Sequence, residues 1–153
     1  MILLAASLIG VVVGLRAMTA PAAVAWAAAL GFLDVSQASL AFMGYRWTPW
    51  IFTVLAIAEL ITDQLPTTPS RKAPMQFGAR ITMGALTGAT VGAAGDMLAV
   101  GLVAGIIGAI IGTFGGAAAR SRLATIFGRD LPAALTEDIV AIGGAFLIVA
   151  VVS

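Results

Sequence analysis

The chain has 153 residues, of which 61% are hydrophobic and only 10% charged, with a mean hydropathy of +1.09. A soluble domain of this length carries roughly a quarter charged residues and leaves much of its surface in water, so the composition points to a bilayer as the solvent. A net charge of +1 excludes the dense basic face that nucleic acid requires; the absence of cysteine excludes disulfides and thiolate metal sites, and the absence of histidine removes the usual general base and commonest metal ligand.

A helix needs about 20 apolar residues to cross the hydrocarbon core. Residues 1–33 are apolar for longer than one straight span requires. They start without the basic residues of a signal peptide and read as part of the mature protein. GLRAMTAP at residues 14–21 interrupts them. Gly14 and Pro21 disfavour continuous helix, and Thr19 reads as the N-cap of a helix restarting near Pro21. The first element is therefore expected to be broken, with one half-helix to about Leu15 and a second from about Pro21.

GYRWTPW at residues 44–50 offers Tyr45, Trp47 and Trp50 as an interfacial aromatic belt. A second span is expected over about Trp47–Leu65, closed by the proline-rich loop DQLPTTPSRKAP at residues 63–74. Third and fourth spans follow at about Gln76–Gly95 and Met97–Ala119, joined tightly at Gly95–Asp96. The basic segment 120–132 reads as a loop that can include a short interfacial helix, and the last span covers about Pro132–Val152. The predicted fold is one all-α integral membrane domain over residues 1–153, with about five transmembrane helices and a broken first helix.

The two basic loops, with Arg71, Lys72 and Arg80 in one and Arg120, Arg122 and Arg129 in the other, fall on one side, which the positive-inside rule makes cytoplasmic. Five spans put the N-terminus on that side as well. If the first element is instead a re-entrant hairpin, four true spans remain and the N-terminus moves outside.

Glycines recur every four residues at 84, 88 and 92, at 101 and 105, at 108, 112 and 116, and at 10 and 14. Small residues at this period let helix backbones approach closely, either within one protomer or across a homodimer seam. IGVVVGLRA at 9–17 matches IGTFGGAAAR at 111–120, and GYRWTP at 44–49 matches GRDLP at 128–132, which suggests an inverted repeat of the kind small transporters use.

Ionisable residues inside apolar spans are costly and mark function by default. Arg16 lies at the helix break, Glu59 and Asp63 share a helix face, Arg80 enters the third span, and Glu137 and Asp138 sit a turn into the last. With Thr19 they form the expected ion- or solute-binding cluster. The other reading is a structural ion-pair network that fixes helix register. Arg71, Lys72, Arg120 and Arg122 are the candidate contacts to anionic lipid. No catalytic residues, cofactor or metal site are expected.

The strings GLRAMTAPA, DQLPTTPSR and GARITMGALTGA, and the late Glu137–Asp138 pair before AIGGA, resemble a family of small bacterial membrane proteins catalogued as domain of unknown function 4126. The resemblance covers nearly the whole chain. It implies a multi-pass protein of the bacterial inner membrane and carries no activity. The residues themselves lead to a small transporter or channel for an ion or polar solute. The rival classes are an accessory subunit packing through glycine faces and a lipid-handling protein. An enzyme is the least favoured.

Overall fold

The computed structural model describes residues 1–36, 38–65 and 70–152. Among them are six α-helices and no strand: α1 Ile2–Leu15, α2 Thr19–Ala29, α3 Thr48–Thr62, α4 Pro74–Ala93, α5 Leu98–Phe127 and α6 Asp130–Val152. A single 3-10 turn, Ala41–Gly44, precedes α3.

The helices alternate in direction. Ile2 touches Gly95 at the α4–α5 turn, and Asp34, just after α2, shares a small cavity with Asp96. The chain therefore reverses between α1 and α2. The N-terminus, the 34–47 connection, the α4–α5 turn and the C-terminal end of α6 lie at one end of the bundle. Arg71, Arg120 and Arg129 lie at the other, here called the basic end. The first element is thus a hairpin of two half-length helices, about 21 Å and 16 Å long at 1.5 Å per residue. This corrects the expectation that the N-terminus shares a side with the basic loops.

Glycine sets the packing of the central trio. α4 and α5 form an antiparallel hairpin in which a Cβ on Gly88 would sit 2.6 Å from the Gly105 Cα, and one on Gly92 would sit 2.8 Å from the Gly101 Cα. α1 runs parallel to α5 and packs against α4 as well, with Gly10 and Gly14 meeting the backbone at 105 and at 109–113. Backbone meets backbone at each crossing, which dispersion rewards and any side chain forbids. These glycine faces are filled by helices of the same chain, so they offer no free seam to a second copy. Met97–Gly92 hydrogen bonding closes the α4–α5 turn, where Asp96 takes the left-handed conformation at φ 57°. Beside the small cavity, the Ser36 hydroxyl and backbone N–H both donate to Asp34, holding its carboxyl below the usual range.

Two sequence expectations fail here. Residues 120–127 are neither loop nor a separate short helix but the last turns of α5, which runs about 45 Å without a break, because Ala, Arg and Leu sustain it until Gly128 ends it at φ 67°. The inverted repeat also fails. Its proposed equivalents, α1 and α5, are parallel neighbours, and α5 continues where α1 stops, since AAAR carries no break signal of the GLR…P kind.

α5 and α6 are each long and apolar enough to cross a membrane, and only 33% and 28% of their most apolar stretches is buried. Their outward faces carry Val103, Ile107, Ile111, Phe114, Ile139 and Leu147. α3 buries only Pro49 and Ala56. It is attached through α2, where the Trp26 indole donates to Thr53 at 3.0 Å and packs edge-on against Trp50.

Gly105→Ala is expected to destabilise the bundle by about 1–3 kcal/mol through forced separation of α4 and α5. Gly143, with nothing within 4 Å of its added Cβ, should tolerate alanine or gain up to about 1 kcal/mol in helix propensity. Unfolding of the two variants in mixed micelles tests this; equal behaviour would contradict the packing.

Candidate functional site

The site is built around the break between α1 and α2. Arg16 is extended at φ −138° and ψ 113°, and its N–H closes α1 by donating to the Val12 carbonyl at 2.8 Å. Ending a helix leaves carbonyls without partners, and starting one leaves N–H groups without partners. Side chains from other helices meet two members of each set. Arg80 of α4 donates from Nη1 to the carbonyls of Val13, at 3.2 Å, and Gly14, at 3.0 Å. Glu59 of α3 accepts from the N–H of Ala17, at 2.7 Å, and of Met18, at 2.8 Å. A cation thus caps the negative end of α1 and an anion the positive start of α2, each with the sign the helix dipole favours. The two caps face one another, with Arg80 Nη2 3.7 Å from Glu59 Oε1.

This tertiary cap replaces the expected Thr19 cap. α2 begins at Thr19 itself, with Met18 at the N-cap, and the buried Thr19 hydroxyl has no hydrogen-bond partner among the described residues. The helix starts two residues ahead of Pro21 because Glu59 already holds the preceding N–H groups.

Arg16, fully buried, turns its guanidinium onto two acids. Nε donates to Asp138 of α6 at 2.6 Å, Nη1 donates to Asp63 just after α3, and Nη2 also contacts Asp138. The tip of the hairpin is therefore tied to α3 and α6 at once. Glu137, next to Asp138 but turned about 100° around α6, takes Arg71 instead in a two-pronged pair, with Nη2 to Oε2 at 2.7 Å. Gly116 makes room for this pair: an added Cβ would lie 3.0 Å from Arg71 Nη1. Arg120 pairs with Asp130 across the α5–α6 turn at 3.0 and 2.6 Å and approaches Glu137 at 3.6 Å.

A cavity of about 620 Å³ lies over this network at the basic end. Asp63, Arg71, Arg80, Arg120 and Asp130 line it, together with Gln64, Gln76, Ser70 and Ser121. Arg16 is fully buried and does not line the cavity, although its partner Asp63 does.

The sequence candidates Arg16, Glu59, Asp63, Arg80, Glu137 and Asp138 converge as expected. Of the four residues read as lipid contacts, two are placed otherwise: Arg71 and Arg120 are held in ion pairs at the cavity. Lys72 is exposed, 5.8 Å from the Phe114 ring, and Arg122 is exposed on α5. Asp130 and the four uncharged polar lining residues escaped the sequence reading. A signal for Arg120 was present, since it continues the Gly112–Gly116 face by one further turn. Part of the loop singled out in the sequence, residues 66–69, lies outside the described residues, as does Gln37. No group of three or more potential metal ligands occurs among the described residues.

No family model, curated protein or solved structure matches the chain. The geometry must carry the functional reading.

Arg16→Gln would strand Asp63 and Asp138 without their cation, so a destabilisation of about 3–5 kcal/mol is expected. Glu59→Ala, which removes the cap but leaves Asp63 4.0 Å from Arg80 as a remaining acid, should cost less, about 0.5–2 kcal/mol. Equilibrium unfolding of both variants checks the order; a harmless Arg16→Gln would contradict the tie.

Proposed function

We propose that this chain is a multi-pass membrane protein, a small transporter or channel for an ion or small polar solute, and that the cavity at its basic end is the solute site. The observation that carries this reading is a helix broken in an apolar bundle beneath a charged cavity. Broken spans with capped half-helix ends recur where membrane proteins hold polar cargo, because irregular backbone is tolerated there only when buried in protein or lining a wet space. The volume falls in the range of small-molecule sites, about 300–1,000 Å³.

The membrane setting is supported by α5 and α6, whose apolar stretches are mostly uncovered, unlike the core helices of a soluble protein. The proposed arrangement is a re-entrant α1–α2 hairpin and four crossing helices, α3 to α6. The positive-inside rule then makes the basic end cytoplasmic and puts both ends of the described chain, residues 1 and 152, outside. A bacterial inner membrane, and membership of the family of domain of unknown function 4126, rest on the motif resemblance. We propose no catalytic role and no cofactor: the ionisable lining residues are carboxylates and guanidinium groups, most already in ion pairs. The rival reading, an accessory subunit docking through its glycine stripes, loses support because those stripes meet helices of the same chain.

Purified protein in liposomes should pass an ion or small polar solute. Ser121→Phe, at the cavity and outside every ion pair described, should cut the rate at least about tenfold while leaving the fold intact. No flux across a panel of ions and small polar solutes would end the transport reading.

A further inference from the structure

Of the guanidinium groups that line the cavity, Arg80 is the one that is fully buried with a nitrogen left unpartnered among the described residues. Arg71 and Arg120 are each spent in two-pronged pairs with Glu137 and Asp130. Arg16 is held by Asp63 and Asp138; its Nη2 makes no hydrogen bond among the described residues but lies against Asp138, and the residue does not line the cavity. Among the described residues, Arg80 hydrogen-bonds through Nη1 alone. Its Nε is buried with no partner among the described residues, and Nη2 stands 3.7 Å from Glu59 and 4.0 Å from Asp63, beyond hydrogen-bond range. Yet the residue is 1% exposed and lines the cavity. A buried guanidinium with donors unmet is costly, and an acceptor arriving from the cavity would relieve that cost.

Arg71 and Arg120 stand beside Arg80 in the lining with Asp63 and Asp130. Glu137 neutralises Arg71 and Glu59 lies 3.7 Å from Arg80, so the unmet Arg80 nitrogen rather than an excess of positive charge selects an acceptor. Gln64, Gln76, Ser70 and Ser121 add neutral hydrogen-bonding groups around the wall. Guanidinium forks match the geometry of carboxylate and phosphate oxygens. The geometry points to an oxyanion site: the cavity takes a small molecule or headgroup bearing a carboxylate or phosphate group, which sits on Arg80. This rests on the cavity being the solute site proposed above and narrows its substrate class.

The test uses the full chain in an alkyl maltoside, whose headgroup carries no phosphate. Inorganic phosphate and acetate, titrated as sodium salts by calorimetry, should bind saturably. Binding should weaken at least about tenfold in Arg80→Gln, which removes a charged hydrogen bond. It should weaken similarly in Ser121→Phe, which fills the cavity and disturbs no ion pair, so the result stands even if Arg80→Gln does not fold. Adding phosphatidylglycerol to the micelles separates the sources: competition identifies a lipid phosphate as an occupant, and its absence a free anion. Absence of binding by both anions to folded protein, or binding that Ser121→Phe leaves unchanged, would overturn the inference. Flux of cations alone without anion binding would overturn it and leave transport standing. Anion binding without flux would do the reverse.

Discussion

A helix end inside an apolar bundle must find partners for its free carbonyls or N–H groups, and this chain has two such ends three residues apart. Arg80 meets the carbonyls and Glu59 the N–H groups, from two other helices. Everything distinctive about the fold depends on that exchange. Without both caps, Arg16 would have no reason to leave the helix, and α1 and α2 would have no reason to fold back. An unmet buried donor or acceptor costs about 1–3 kcal/mol, and the break would expose several.

The charges then tie the hairpin to the rest. Arg16 reaches α3 and α6, Arg71 reaches α6 from the 70–73 segment, and Arg120 links α5 to α6. Buried pairs of this kind add little net stability against an apolar alternative, because desolvation offsets their attraction. Their effect is specificity: each guanidinium accepts only one register of its neighbours. Glycine complements this, since the crossings of α1, α4 and α5 allow almost no side chain. α3 lies outside that glycine-packed trio and buries little of its own surface. It is held by Glu59 and Asp63 at one end and by the Trp26–Trp50 contact at the other. It is thus the helix whose attachment depends most on the charged network.

Much of this was readable in the residues. Gly14, Pro21 and an arginine in an apolar run announced the break, and five acids and bases in other spans announced its partners. The direction of the chain after the break was not readable, because composition is the same whether α2 continues or returns. Asp34 lying beside Asp96 is what decides it, and that is a long-range contact. The extension of α5 through Arg120 was hidden by counting basic residues as loop, although Ala, Arg and Leu are good helix formers. The Glu59 cap was invisible for the same long-range reason, so a local threonine took its place in the reading. The inverted repeat came from Gly/Ala-rich strings that align by composition, and the parallel packing of α1 and α5 removes it.

The reversal at Arg16 can be measured directly, since the chain has no native cysteine to interfere with labelling. Spin labels on cysteines introduced at Met1 and Asp34 would stand roughly 50 Å apart on an unbroken helix at 1.5 Å per residue. A hairpin folded back at Arg16 gives less than half that separation by electron–electron double resonance. A distance near the full helical length would contradict the hairpin, and with it the capped break and the cavity built over it.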